Sequence, residues 1–343
     1  MGNSPKKLTE FLEEEDFPKD QKLYGFSNIG NNCYINSVLQ SLYHCEKFKE
    51  KIIEFKKNQT ENEKETFLLE NLLSELFCKI NDSEKQIGSI SPSNFVKKFL
   101  KKTSNLRYRR QEDAHEFFET LMDSFEQSIQ KSDQISQKGK QELSLIYQLF
   151  SGEENSFIKC LECGSIRGPN VNKFVDIPLD IFLNESLQSC LKRRNLPEKM
   201  DGDNKIFCEK CNKNTSSEKF SKIVKFPKIL VFQFKRFQFT MNQGQKKLFE
   251  KILFPFELKV EEESKKGIKT KHYDLNAIVV HIGKTIKRGH YISYSKVQDK
   301  WFCFDDSKVS LADPNLIEFT FGVSSLEPKK RQTSYLLFYT KKN

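Results

Sequence analysis

The chain has 343 residues, 37% hydrophobic and 30% charged, a globular balance that excludes a disordered or collagen-like chain and suits one large or two ordinary domains. Its 57 basic and 47 acidic residues leave a net charge of +10. The basic residues are scattered, with short clusters only at Lys97, Lys98, Lys101 and Lys102 and at Lys329, Lys330 and Arg331, the pattern of a solvated surface rather than a binding stripe.

No run of about 18 apolar residues is present to make a spanning helix, so no membrane contact is expected. The opening MGNSPKKLTEFLEEEDF lacks the apolar stretch of a secretory signal. Its Met-Gly start lacks the Ser or Thr that myristoylation wants where Lys6 stands. Nine cysteines without a secretion signal point to a reducing, intracellular setting, cytoplasmic or nuclear.

Residues 1–22 read as a polar tail ahead of a single domain over 23–342. From Cys33, the run CYINSVLQSLYHC puts Ile35, Val38, Leu39, Leu42 and Cys45 at helical spacing. A second helix is predicted over Phe67 to Ile80, with Leu69, Leu72, Leu73, Leu76 and Phe77 in one stripe. A third is predicted over Glu112 to Ile129, with Ala114, Phe117, Phe118, Leu121, Met122 and Phe125 inward. The polar stretch Gln130 to Gln141 reads as a separator, and the helical part runs to about 145. The segments SFIKC, KFVDIPL, KILVFQFKRFQF, YDLNAIVVHI, HYISYSK, KWFCFDD and SYLLFYT then read as strands, with polar loops at Lys199 to Asn204 and Glu261 to Lys271. Helices first and strands after give an α+β fold. No internal repeat appears beyond two Cys-x-x-Cys pairs.

Those pairs, Cys160–Cys163 and Cys208–Cys211, lie between strand-like segments. Four thiolates at this spacing suit one tetrahedral Zn²⁺, and four protein ligands make it structural, a clip between two hairpins. Cys45, Cys78, Cys190 and Cys303 read as core thiols.

The chemistry concentrates elsewhere. GFSNIGNNCYINSVLQSL delivers Cys33 to the first turn of a predicted helix, where the partial positive charge of the N-terminus favours thiolate over thiol. Asn28 offers a side-chain N–H beside the same turn, a candidate oxyanion donor together with the Cys33 amide. Gly289-His290-Tyr291 opens a strand, and Asp305 lies fifteen positions on in its hairpin mate. Asp305 would orient the imidazole while His290 takes the thiol proton. Gly289 is expected to leave room for a narrow substrate tail. Of the other histidines, His44 and His115 fall on helices and His272 in a polar loop. His281, in a strand without an aspartate-bearing neighbour, reads as structural.

Taken together, GFSNIGNNCYINSVLQ, QEDAHEF, the two cysteine pairs, LVFQFKRF, GHYISY and WFCFDDS resemble, in order, the motifs of the ubiquitin-specific proteases, over roughly residues 24 to 341. The resemblance implies a papain-like fold with helical thumb (about 23–145) and β-rich palm and zinc-bearing fingers (about 146–342). It implies a thiol-dependent deubiquitinase that hydrolyses the bond after the C-terminal glycine of ubiquitin. Cys33 matches the nucleophile, His290 the general base, Asp305 the third triad member, Asn28 the oxyanion donor and Asp306 a position that assists at the oxyanion. Asp113 and Glu116 match acidic positions near the channel for the ubiquitin tail, whose arginine a carboxylate accepts in a fork. The chain departs from the pattern at Asn32, where the family usually has Thr, and at Ile35, where it has Met. Its compactness and the runs NSVLQSLYHCEKFKEKI and QEDAHEFFETLMDSF look like the small subgroup activated by WD-repeat propellers. Two other readings use fewer of these residues. One is a catalytically weak ubiquitin-binding module that needs an activator. The other is a basic zinc-ribbon protein on nucleic acid, which leaves Cys33, His290 and Asp305 unexplained.

Overall fold

The computed structural model describes Leu8 and residues 20–57, 65–103, 105–131, 137–183, 185–240, 244–264, 267–285, 288–322 and 332–342. Most of the expected N-terminal tail and the basic cluster Lys329 to Arg331 lie outside the described residues; Leu8 packs against Leu23, Val297, Phe302 and Phe304.

The first half is helical. A short strand β1 (Leu23–Phe26) leads into α1 (Cys33–Tyr43), α2 (Glu46–Lys57) and α3 (Leu68–Asn81). β2 (Ile87–Ile90) pairs in parallel with β1, and α4 (Ser93–Lys102), α5 (Ala114–Gln130) and α6 (Gln137–Gln148) follow. Every residue of α1 is buried, as a helix must be when it runs through the middle of a domain. The surrounding helices show it one stripe each. The abundant phenylalanines knit them together: Phe48 meets Phe77 and Phe150 edge-on at 6.3 and 5.5 Å, and Phe118 meets Phe338 of the last strand at 5.7 Å, geometries that aromatic quadrupoles favour.

The second half is β. The hairpin β3 (Gly152–Cys160) and β4 (Ile166–Phe174) is followed by β5 (Ile177–Leu179), α7 (Leu187–Arg194) and β6 (Glu198–Met200). A small hairpin of β7 (Ile206–Cys208) and β8 (Lys213–Thr215) leads to β9 (Ser217–Lys225). Strands β4-β3-β9-β6 form one four-stranded sheet. After it come β10 (Ile229–Phe234), the hairpin β11 (Phe237–Thr240) and β12 (Gly244–Lys247), β13 (Glu257–Ser264), β14 (Gly267–Thr285), β15 (Arg288–Val297), β16 (Lys300–Asp305), β17 (Lys308–Ala312), α8 (Pro314–Glu318) and β18 (Gln332–Lys341). The large sheet has the order β17-β16-β15-β14-β18-β10-β5, with β13 also paired to β14. Its centre is apolar on both faces. Val231, Val279 and Leu336 join the helical core, while the alternate residues Phe232, Ile278 and Leu337 join a second core on the far side. Period-two packing into two cores explains why ILVFQF, AIVVHI and YLLFY are unbroken apolar runs.

The fold is α+β, as expected. Several boundaries differ for identifiable reasons. The first helix stops at Tyr43, short of Cys45, because α2 begins at Glu46. The third starts at Ala114 because Asp113 is its N-cap, in extended conformation with its carboxylate accepting from the His115 amide. The end of the separator Gln130 to Gln141 belongs to a helix: α6 begins at Gln137 and buries Gly139, Leu143 and Ile146, spaced 4 and 3 apart along one face. Glu198–Met200 is a strand rather than loop. Glu261 to Lys271 is mostly a β13–β14 hairpin, with Glu262 opposite Lys269 and bonded to Lys271 at 3.2 Å, so opposite charges hold together strand ends that are largely exposed. His272 therefore lies in β14, not in a loop. Among the described residues no helix is long and apolar enough to cross a membrane.

Candidate active site

Two consecutive left-handed residues, Gly30 (φ 125°) and Asn31 (φ 55°), reverse the chain after β1 and set Cys33 as the first residue of α1, with no acidic side chain in that first turn. Glycine and asparagine are the residues that accept such backbone angles. From the other side, β15 and β16 form a hairpin closed at Gln298, itself left-handed at φ 54°. It carries His290 near one end of β15 and Asp305 at the end of β16, and His290 Nε2 lies 2.6 Å from Asp305 Oδ1. The Cys33 thiol neighbours the same imidazole. Its influence, with help from Asp305 and against partial burial, pushes His290 up to about 9 from an ordinary 6.5. Since Nε2 is committed to Asp305, Nδ1 is the nitrogen left for the thiol. The arrangement is thus thiol, imidazole and carboxylate in series, the order in which a base and its orienting group can activate a thiol.

Asn28 stands in the same turn. Its Nδ2 donates to Asp306 Oδ2 at 2.8 Å and its Oδ1 accepts from the Gly30 amide at 3.0 Å, which leaves the second Nδ2 hydrogen for another acceptor. Asp306 has φ 51°, and its carbonyl accepts from the Phe26 amide at 2.8 Å. β1 approaches this corner so closely that a Cβ on Gly25 would sit 2.5 Å from the Asp306 carbonyl oxygen.

The remaining expected residues fall as follows. Asp113 spends one carboxylate oxygen on the His115 amide at 2.7 Å and the other on the Tyr335 hydroxyl at 2.6 Å. Burial nonetheless raises its carboxyl above the usual range. Glu116, one turn on, is half-buried, and burial followed by the charges of Asp113 and Glu112 raises it too. His281 is fully buried, with Nδ1 2.8 Å from Lys247 Nζ; burial and the neighbouring Lys247 pull it down to about 3. Gly289 differs from expectation: a Cβ there would lie 2.2 Å from His281 Nε2. The space its missing side chain vacates is filled by His281, not kept for a substrate tail.

Two supports escape a reading of the sequence. Gln111 reaches from the loop before α5 to both backbone groups of Gly289, donating to its carbonyl at 2.7 Å and accepting from its amide at 3.0 Å. His115 bridges Asp176 at 2.8 Å and Glu119 at 3.4 Å; burial lowers its pKa, but Asp176, Glu119 and Asp113 together leave it raised. The signal for Gln111 was present in QEDAHEF, yet a glutamine ahead of a helix has too many uses to be assigned from sequence.

At the far end of the four-stranded sheet, the turn of the β3–β4 hairpin carries Cys160 and Cys163, and the β7–β8 hairpin carries Cys208 and Cys211. All four sulfurs lie within 4.8 Å of one another. Cys160 is 3.9 Å from Cys211, and Cys163 is 3.7 Å from Cys208. Four thiolates about 2.3 Å from one Zn²⁺ in tetrahedral array stand about 3.8 Å apart, so the residues fit the metal. The Thr215 and Ser165 hydroxyls, at 3.3 and 3.0 Å from Cys160 and Cys163, supply the outer hydrogen bonds that thiolate ligands take.

Comparison with known proteins agrees with this geometry. The ubiquitin carboxyl-terminal hydrolase family profile matches residues 24–339. Ubiquitin carboxyl-terminal hydrolase 4 of Arabidopsis thaliana is 31% identical over 99% of this chain and 98% of its own length. Ubiquitin carboxyl-terminal hydrolase 12 of Salmo salar is also 31% identical, over 99% of this chain and 95% of its own. The solved structure of the SAGA Ubp8/Sgf11/Sus1/Sgf73 DUB module bound to ubiquitin aldehyde superposes with a TM-score of 0.77 at 25% identity, covering 98% of this chain and 75% of that one. The chain belongs to the ubiquitin-specific protease family of ubiquitin carboxyl-terminal hydrolases, and is a thiol-dependent deubiquitinase.

Proposed function

We propose that Cys33 is the nucleophile that cleaves the bond after the C-terminal glycine of ubiquitin, with His290 as general base and acid, Asp305 orienting it and Asn28 donating to the oxyanion. The observation that carries this is the chain of contacts from the Cys33 thiol through His290 to Asp305 at 2.6 Å. Cys33 sulfur attacks the glycine carbonyl carbon, and the tetrahedral oxyanion is held by the Asn28 side chain and the Cys33 amide. The C–N bond breaks as His290 gives its proton to the departing lysine amine. His290 then takes a proton from water, the water oxygen attacks the thioester, and ubiquitin leaves with a free carboxylate while Cys33 is regenerated.

Ubiquitin is the partner: the Ubp8 module, similar over nearly all of this chain, was solved with ubiquitin aldehyde. Asp113 and Glu116 line the tail channel. With both Asp113 oxygens engaged internally, the fork to the tail arginine falls to Glu116, and Asp113 stands behind it. The four cysteines hold one structural Zn²⁺, whose chemistry is confined to clipping the two hairpins, and nine cysteines with no disulfide among them suit a reducing intracellular compartment. A WD-repeat propeller raises the activity, a reading that rests on the subgroup resemblance of NSVLQSLYHCEKFKEKI. Turnover of a ubiquitin C-terminal fluorogenic amide, with and without such a propeller, tests the set. Wild-type protein should hydrolyse it and Cys33→Ala should not; equal rates from both would remove Cys33 from the mechanism.

A further inference from the structure

Asparagines 28, 32 and 36 recur at intervals of four through the nucleophile turn and the first turn of α1. The reaction scheme uses only the first. Asn32 and Asn36 are each 2% exposed, and a buried amide needs partners for both its ends. Those partners form one chain. Asn32 Oδ1 accepts from the Ile29 amide at 2.7 Å, and Asn32 Nδ2 donates to Asn36 Oδ1 at 2.8 Å. Asn36 Nδ2 donates to Asp306 Oδ1 at 2.8 Å and to the Phe26 carbonyl at 3.1 Å. The other oxygen of Asp306 accepts from Asn28 Nδ2. The chain thus begins beside Asn28, crosses to the histidine-bearing hairpin and returns to Asn28.

A carboxylate only accepts hydrogen bonds, and its negative charge repels an oxyanion. With one oxygen on Asn28 and the other on Asn36, Asp306 is placed to aim the Asn28 amide rather than to touch the developing charge itself. We propose that Asn36 is a positioning residue for the oxyanion hole, acting through Asp306 to orient Asn28, with Asn32 bracing it from the preceding turn. The Asn32 side chain, where the family usually has Thr, supplies the amide N–H that reaches Asn36 one helical turn away. This inference rests on the reading that Asn28 donates to the oxyanion.

The test is a double-mutant cycle on hydrolysis of the ubiquitin C-terminal amide, read beside alkylation of Cys33 by ubiquitin ending in a haloethylamine. Displacement of halide by sulfur needs the nucleophile and ubiquitin docking but forms no oxyanion. Asn28→Ala should lower kcat by about 100- to 1000-fold, and Asn36→Ala should lower kcat with little change in KM. The double variant should be no slower than Asn28→Ala within about twofold, the scatter expected of measurements on this scale. Alkylation should persist in all three. Multiplying losses, or alkylation falling in step with hydrolysis, would overturn the proposal and leave Asn36 a packing residue. If Asn36→Ala fails to fold, the pair Asp306→Ala and Asn28→Ala decides by the same criterion. An Asn28→Ala enzyme with wild-type kcat sinks the oxyanion reading and this proposal together. A full Asn28 effect with multiplying Asn36 loss sinks this proposal alone.

Discussion

Gln111 grips Gly289 by both of that residue's backbone polar groups, at 2.7 and 3.0 Å, and Gly289 is the residue before His290. The brace ties the helical half of the molecule to the strand that carries His290. Removing it leaves a half-buried amide and carbonyl without these partners, and each such bond is worth about 1 kcal/mol. Gln111→Ala should therefore lower kcat/KM on a ubiquitin amide by on the order of tenfold. Gln111→Glu, which loses the donor to the carbonyl, should also be impaired. Unchanged kinetics in both would show that β15 holds His290 without help.

The Cys33 thiol is the largest cause of the raised His290 value, about 9 against 6.5. In Cys33→Ala the imidazole should titrate well below 9, held up only by Asp305, and an NMR titration of the ring protons reads this directly. A value still near 9 would mean that Asp305 alone sets the charge. The sign also fixes a stability trend. A histidine whose folded value is raised stabilises the fold fully below about 6.5 and loses that contribution as pH climbs through about 9. The wild-type excess over His290→Gln in thermal unfolding should shrink across that window.

Gly289 and His281 make a prediction of a different kind. Because a Cβ on residue 289 would lie 2.2 Å from His281 Nε2, Gly289→Ala should displace β15 and cost both stability and turnover. Combining it with His281→Ala should recover part of the loss, since the two closest contacts then vanish and only that with the Ile282 carbonyl, at 2.8 Å, remains. If the double variant is no better than Gly289→Ala alone, the clash is not what excludes a side chain there.

The cysteine cluster should carry one zinc per chain by metal analysis. Cys160→Ser or Cys208→Ser should lower the melting temperature, because metal binding in such hairpins is itself folding free energy. Alkylation of Cys33 should survive at temperatures where the fingers remain folded, since the four sulfurs belong to a separate sheet. Protein purified without chelators and found free of zinc, yet equally stable, would end the assignment.

The residues of the candidate site were legible because each carries local context. Cys33 follows a turn of Gly and Asn, and His290 and Asp305 flank a hairpin of strong strand formers. The central strands were legible too, as apolar runs. What stayed hidden is held by polar groups with distant partners. Glu261 to Lys271 reads as loop because its lysines and glutamates carry no apolar stripe, and only their register across the hairpin pairs them. In α6, a polar sequence conceals three inward residues. The links Asn36 to Asp306 and Gln111 to Gly289 join positions 270 and 178 residues apart, and no spacing rule reaches that far. Gly289 shows the converse: its proximity to the site was plain from sequence, but which neighbour filled the space was not.

The proposed mechanism stands or falls on attack by Cys33 at the C-terminal carbonyl of ubiquitin. The most direct measurement is intact mass of the protein after reaction with ubiquitin carrying a C-terminal thiol-reactive group, beside Cys33→Ala, each with and without a WD-repeat propeller. Wild type should gain one ubiquitin, mapped to Cys33, and the variant none. An adduct on Cys33→Ala, or none on wild type even with the propeller present, would contradict that mechanism.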